Sequence, residues 1–317
     1  MRQAKLLPII HHPAYDAADL PDQHRFPMRK FRALAETLVA DGLVAASGIA
    51  GFHVPAPAPE SWLALAHSRI YVDQVLNGTL PASVAKEIGF PLDNAAAGRA
   101  VAFRGRCATA GTVLTATLAL EHGIACNTAG GSHHARYEQG AGFCVFNDVA
   151  VAIRVLQADH RIGSALIIDL DVHQGDGTAL MFANDAEIMT ISMHAERNYP
   201  HPKAESDIDI ALPDATEDSD YLARLSRLLD ELPPRLQPDI VFYNAGVDPH
   251  AEDRLGRLNL TDEGLRQRDT LVLSHCRLRN WPVACVIGGG YSRDITALGR
   301  RHSIIHHVAT KFWSNVL

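Results

Sequence analysis

The sequence predicts a three-layer α/β/α fold built on a mainly parallel sheet, and three observations carry that prediction. The short apolar runs at residues 124–126, 165–170, 188–192, 240–244 and 283–287 show little polar alternation, as expected of strands covered on both faces. Segments with helical periodicity or helix-boundary signals alternate with them, which calls for right-handed crossovers between parallel strands. The chain has 317 residues, of which 47% are hydrophobic, enough for one large core. The whole chain, residues 1–317, is therefore expected to form a single domain.

In chain order, residues 6–10 read as a first short strand. Residues 28–41 read as a helix, with Phe31, Leu34 and Leu38 on one face, Pro27 before it and Gly42 after it. The only proline-rich stretch, Val54 through Pro59, reads as a surface loop. Further helices are predicted at 60–66, 69–76, 95–121, 148–158 and 220–231. No internal repeat is present.

Composition removes several functional classes. A formal net charge of −7 argues against a nucleic-acid surface. The five cysteines are scattered, form no CxxC pair and suggest neither a disulfide framework nor a thiolate zinc site. That usage fits a reducing, cytoplasmic setting. No apolar run approaches membrane-spanning length, and the first eight residues lack the apolar core of a leader.

In open α/β sheets, ligands gather beyond the carboxyl ends of the strands. Polar residues cluster there. Asp169-Leu-Asp171-Val-His173-Gln-Gly-Asp176-Gly177 ends the run at 165–170. In extended backbone, residues two apart share a face, so Asp169, Asp171 and His173 point together. Gly130-Gly131-Ser132-His133-His134 follows 124–126, Met193-His194 follows 188–192, and Ala245-Gly246-Val247-Asp248 follows 240–244. Gly288-Gly289-Gly290-Tyr291 follows 283–287.

A hydrolytic metal keeps three protein ligands and an open position for water, and Asp171, His173 and Asp248 can supply the three. His133 and His134 are candidates for the general base, with Asp169 and Asp176 available to orient their rings. Tyr291 is a candidate oxyanion donor, and Gly289 and Gly290 before it permit close approach. Each residue has a plainer reading. His11-His12 abuts Pro13 and reads as structural; His306-His307 lies in a helix-like terminal segment with no acid beside it. The acidic run 214–220 reads as a solvated loop or helix start. Asp207-Ile208-Asp209-Ile210 reads as an exposed strand face rather than a second metal site. The three glycines lack a following GKS or GKT and a GxGxxG pattern, which argues against a phosphate loop.

These motifs, with Gly142-Phe143-Cys144-Val145-Phe146-Asn147-Asp148 between them, resemble the zinc-dependent histone deacetylase superfamily in content and order. The resemblance covers most of the chain from about residue 120 onward, and His24-Arg25-Phe26-Pro27-Met28 resembles a class IV-type opening. It implies an arginase–deacetylase fold and one zinc held by Asp171, His173 and Asp248. It pairs His133 with Asp169 and His134 with Asp176, makes His134 the main base and acid, and gives Tyr291 the substrate carbonyl. Gly142 and Phe143 would line an acyl-lysine channel, with Tyr199 in the place of a missing channel phenylalanine. Asp169 and Ser192 would border a potassium site.

The implied activity is deacylation of an acetylated lysine in a protein or peptide. Alternatives are a small acylated amine such as an acetylpolyamine, or a longer acyl chain. A two-manganese ureohydrolase would need further bridging aspartates, and a silent acyl-lysine reader would lack a ligand, a base or the tyrosine. The oligomeric state and the residues that grip the substrate backbone are not readable from the sequence.

Overall fold

A computed structural model describes residues 6–16, 20, 24–45, 48–90 and 95–314. Residues 1–5, which the leader reading partly concerned, lie outside the described residues.

The centre is a seven-stranded, wholly parallel sheet. Its strands are β1 (Ile9–Ile10), β2 (Ile124–Asn127), β3 (Ala165–Asp169), β4 (Ile188–Ala195), β5 (Ile208–Leu212), β6 (Ile240–Asn244) and β7 (Val283–Val286). Their spatial order is β1-β2-β7-β6-β3-β4-β5. Every residue of β2, β3, β6 and β7 is buried, which accounts for their unalternating sequences. Strand β5 is an edge and does alternate, with Ile208 and Ile210 half-buried between exposed neighbours. The acids there serve the backbone: Asp207 Oδ2 accepts from Thr190 N at 2.7 Å, and Asp209 Oδ2 from Ser206 N at 2.8 Å.

The helices are α1 (Lys30–Ala40), α2 (Glu60–Leu63), α3 (Arg69–Asn77), α4 (Ala82–Ile88), α5 (Ala95–His122), α6 (Asp148–Ala158), α7 (Asp176–Phe182), α8 (Asp218–Glu231), α9 (Asp262–Leu278) and α10 (Ile295–Ser314). Helix α5 packs along β1, β2, β6 and β7 and against α6, while α1, α10, α9 and α8 are successive neighbours, with α10 also on β2. The expected helices all form, within a few residues at their ends. Helices α4, α7 and α9 had not been anticipated.

Caps decide several boundaries. Asn147 caps α6 through its side-chain oxygen, which accepts from Ala150 N at 3.0 Å. Thr261 caps α9 in the same way, accepting from Gly264 N at 3.0 Å. The other histidine pairs are structural. His11 Nδ1 lies 2.8 Å from Thr128 Oγ1, His12 Nδ1 accepts from Ala14 N, and His307 pairs with Asp41 at 2.8 Å. Among the described residues, no helix is long and apolar enough to cross a membrane.

Asp148 links this framework to the loop after β2. Its buried carboxylate accepts from Thr112 Oγ1 at 2.5 Å, from Gly131 N at 3.1 Å and from Ser132 N at 2.7 Å. The last two fix the backbone just before the histidine doublet. Asp148→Asn leaves at least one buried N–H donor facing an amide N–H₂, a loss of about 3 kcal/mol. Urea unfolding should show that drop; a change under about 0.5 kcal/mol, the range of neutral surface substitutions, would contradict the assigned role.

Candidate active site

The strand ends deliver their polar residues to one place. Asp171 and His173 follow β3, Asp248 follows β6, the histidine doublet follows β2, and Tyr291 follows β7. All six side chains are buried.

Asp171, His173 and Asp248 present ligand atoms within 4.8 Å of one another. His173 Nδ1 stands 3.0 Å from Asp171 Oδ1 and 3.0 Å from Asp248 Oδ2. One nitrogen carries at most one proton, so two carboxylates cannot both be satisfied by it. The carboxylates are otherwise held by backbone: Asp171 Oδ2 accepts from Gly289 N at 2.6 Å, and Asp248 Oδ1 from Val172 N at 2.9 Å. Two hard oxygens and an imidazole nitrogen, converging without space for another side chain, fit a divalent cation. Added Cβ atoms confirm the crowding, since one on Gly289 would meet Asp248 Oδ2 and one on Gly246 would meet Asp171 Oδ2.

The electrostatics follow from the same geometry. Burial opposes charge on His173, but its bonds to Asp171 and Asp248 outweigh this and push the imidazole up to about 10. Burial and the neighbouring Asp171 push the Asp248 carboxyl up to about 7. Without a cation, the pocket therefore holds protons.

Each ring of the doublet has its own carboxylate. His133 Nδ1 is 2.7 Å from Asp169 Oδ2, and His134 Nδ1 is 2.7 Å from Asp176 Oδ1. The rings sit 4.1 Å apart between centroids. Burial works against charge on both. At His133 the two aspartates Asp169 and Asp171 prevail and raise it to about 9. At His134, burial and the charge on His133 prevail over Asp176 and lower it to about 3. The difference follows from Asp171, which adds to Asp169 at His133, and from the charge on His133, which acts against His134. Asp176 also accepts from Arg136 Nη2 at 2.6 Å through Oδ2. Asp169 is oriented in turn by Asn244 Nδ2 at 3.0 Å and Asp171 N at 3.1 Å.

Tyr291 lies across from His173, their ring centroids 6.0 Å apart. Burial and then Asp171 and Asp248 raise its phenol well above the usual range, so it stays protonated. Asp253 Oδ2 accepts from Tyr291 N at 2.7 Å and holds the backbone there.

Tyr199 stacks edge-on against His134 at 4.7 Å, and a Cβ on Gly142 would strike His134 Cδ2 at 2.5 Å. Gly142 and Phe143 both have left-handed backbone, φ 52° and 66°, a turn that lays Phe143 6.0 Å from Tyr291. Phe143, Gly142, Gly289, His133, His134 and Tyr291 border a common cavity of ≈ 30 Å³. Gly290 is placed differently: its Cα is backed by His302, Val247 and Leu298 rather than by this cavity. Ser192 and Asp169 are register partners on β4 and β3, and Ser192 Oγ lies 2.9 Å from His194 Nδ1.

The site also contains residues that sequence reading passed over. Arg136 directly follows the doublet and Asn244 ends β6, so proximity to motifs was an available signal. Lys30 gave none. It is fully buried, donates to Gly288 O at 3.0 Å, and lies over the rings of Phe26, Phe31 and Tyr291. Burial lowers its ammonium to about 8 against the pull of Asp248 and Asp171.

The family model of the histone deacetylase domain matches residues 24–306. The chain belongs to the histone deacetylase family. Family membership makes it a hydrolase of the deacetylase type, and zinc dependence is the family norm. It is 46% identical over 302 residues to an uncharacterized protein of Picosynechococcus sp., covering 95% of this chain and 98% of that one. It is 32% identical to histone deacetylase 2 of Arabidopsis thaliana, covering 90% of this chain and 75% of that protein. It is 26% identical to the acetoin utilization protein AcuC of Staphylococcus aureus over 93% of this chain and 76% of that protein. In fold, it matches the crystal structure of an HDAC homolog complexed with SAHA, with a TM-score of 0.78 and 23% identity, over 96% of this chain and 84% of that one.

Because a cation must displace the proton held by His173 and the one partly held by Asp248, its uptake should release roughly one to two protons at neutral pH, and affinity should rise as pH rises toward about 10. Calorimetric titration in buffers of different protonation enthalpy measures this; uptake with no proton release would contradict the assigned geometry.

Proposed function

We propose that the chain is a zinc-dependent deacylase that hydrolyses the amide of an acetylated lysine in a protein or peptide, giving acetate and a free amine. One observation carries the reading: two histidines, each braced by its own carboxylate, stand beside a three-residue cation site in a chain of the deacetylase family. Residues 1–317 are read as one catalytic domain.

When bound by Asp171, His173 and Asp248, zinc supplies a Lewis acid that polarises the amide carbonyl and acidifies water near neutral pH. The protein groups do the rest. His134 has Nδ1 engaged by Asp176, which leaves Nε2 to take a proton from the attacking water. Its lowered basicity keeps the ring neutral and ready. The same nitrogen then returns the proton to the departing amine, so water is divided between acetate and amine. His133, held cationic by Asp169, adds positive charge beside the carbonyl as negative charge grows there. The Tyr291 phenol, kept protonated by its surroundings, donates to the developing oxyanion.

Phe143 and Tyr199 form walls for the extended lysine side chain, with Gly142 in the turn beside them and Gly289 at the metal side of the cavity, while Gly290 lies away from it. A potassium ion beside Asp169 and Ser192 belongs to the same reading, and their placement side by side on β3 and β4 supports it.

Tyr291→Phe and His134→Ala should each lower kcat/KM by roughly a hundredfold to ten-thousandfold while the circular dichroism spectrum is retained. Undiminished turnover in either variant would overturn the residue's role. A panel of acetyl-lysine peptides, longer acyl-lysine peptides and acetylpolyamines, run on zinc-loaded protein, tests the substrate. Cleavage of the acetyl-lysine peptides is expected; activity confined to polyamines or to longer acyl chains would replace the proposed substrate.

A further inference from the structure

The ladder between β3 and β6 ends at the pair Asp169 and Asn244. The cation ligands lie beyond it, Asp171 on one chain segment and Asp248 on the other. Past the last paired residues, sheet hydrogen bonding no longer sets the distance between these segments. Leu170 N still donates to Asn244 O at 3.1 Å. Two further ties join them: Val172 N donates to Asp248 Oδ1 at 2.9 Å, and Arg268, on α9, reaches the backbone of both segments.

Arg268 is fully buried, among the largest side chains in the protein to be so. Its Nη1 donates to Gly246 O at 2.5 Å and to Leu170 O at 3.4 Å. The Leu170 carbonyl belongs to the peptide unit that leads into Asp171. The Gly246 carbonyl belongs to the unit two residues before Asp248. Gly246 itself is pressed against Asp171, so close that an added Cβ would come within 2.5 Å of Asp171 Oδ2. One nitrogen thus spans both ligand-bearing segments at the point where they diverge from the sheet.

The guanidinium is itself held in place. Its Nε donates to Asp269 Oδ1 at 2.9 Å, and Nη2 lies 2.8 Å from the same oxygen. Tyr243, on β6, donates its hydroxyl to Asp269 Oδ1 at 2.5 Å, and its ring lies 6.0 Å from the guanidinium carbon. Asp269 cancels most of the field that a bare cation would project toward the ligand aspartates. What remains is position. A buried ion pair is weak support for stability, since desolvation offsets much of the attraction, whereas a planar fork fixes the direction of each hydrogen bond it makes.

We propose that Arg268, clamped by Asp269 and Tyr243, is a positioning residue that sets the separation of Asp171 and Asp248 and so the affinity of the site for its divalent cation. The proposal rests on the reading of Asp171, His173 and Asp248 as cation ligands. Lysine in its place keeps the charge and loses the fork. Outer groups that orient metal ligands are worth roughly tenfold to a hundredfold in affinity.

The test is zinc affinity of metal-free protein, measured by competition with a chromophoric chelator, together with thermal unfolding of the same samples. The variants are Arg268→Lys, the milder Tyr243→Phe, and Leu273→Ala as a control that removes buried apolar volume from the same helix. Arg268→Lys should bind zinc roughly tenfold to a hundredfold more weakly. Tyr243→Phe should fall between it and the parent, and Leu273→Ala should match the parent despite its lower melting temperature. Parent-like or tighter binding in Arg268→Lys, or equal weakening in Leu273→Ala, would overturn the proposal. If Arg268→Lys does not fold, Tyr243→Phe decides, with parent affinity counting against. A parent that binds no zinc would instead overturn the underlying reading of the three ligands.

Discussion

Two aspartates and an imidazole forced together in a buried pocket are the constraint around which the rest of this molecule is arranged. Negative charge at that density, removed from water, is tolerated only with a compensating cation or bound protons. The structure invests heavily in keeping it. Gly289 and Val172 turn backbone N–H groups onto the carboxylates, and the glycines at 246 and 289 remove the side chains that would occupy the space. Around this centre, Asp169 and Asp171 hold His133 cationic, while burial and the charge on His133 keep His134 neutral. The chemistry proposed for the site is a consequence of that division.

Much of this was legible from residue order alone. Strands β3 and β6 announce themselves as apolar runs, and the rule that ligands collect beyond the carboxyl ends of parallel strands led directly to Asp171, His173, Asp248, the doublet and Tyr291. The brace pairs His133–Asp169 and His134–Asp176, expected from resemblance to the deacetylases, stand at hydrogen-bond distance. The alternation at 207–210 correctly indicated an exposed strand face.

What stayed hidden has a common physical reason. Lys30 and Arg268 are cations, and a sequence reading assigns cations to water; nothing local says that a helix will bury one against Gly288 O or the other under the ends of β3 and β6. Helix α9 carries many charged residues and has a low mean apolar content, so its buried face, Leu265, Val272 and Leu273, does not stand out from its exposed one. Helix α7 begins at Asp176, inside the motif, and reads as part of the loop. Gly290 was placed by its neighbours in the motif, but its backbone conformation, φ 156°, turns it toward His302. In each case tertiary contact, not local pattern, decided the outcome.

The most direct measurement is anomalous diffraction at the zinc absorption edge from crystals grown with zinc. The account predicts one strong peak per chain, within coordination distance of His173 Nδ1 and of an oxygen from each of Asp171 and Asp248. A strong peak elsewhere with none between these three residues, in protein that hydrolyses acetyl-lysine, would contradict it.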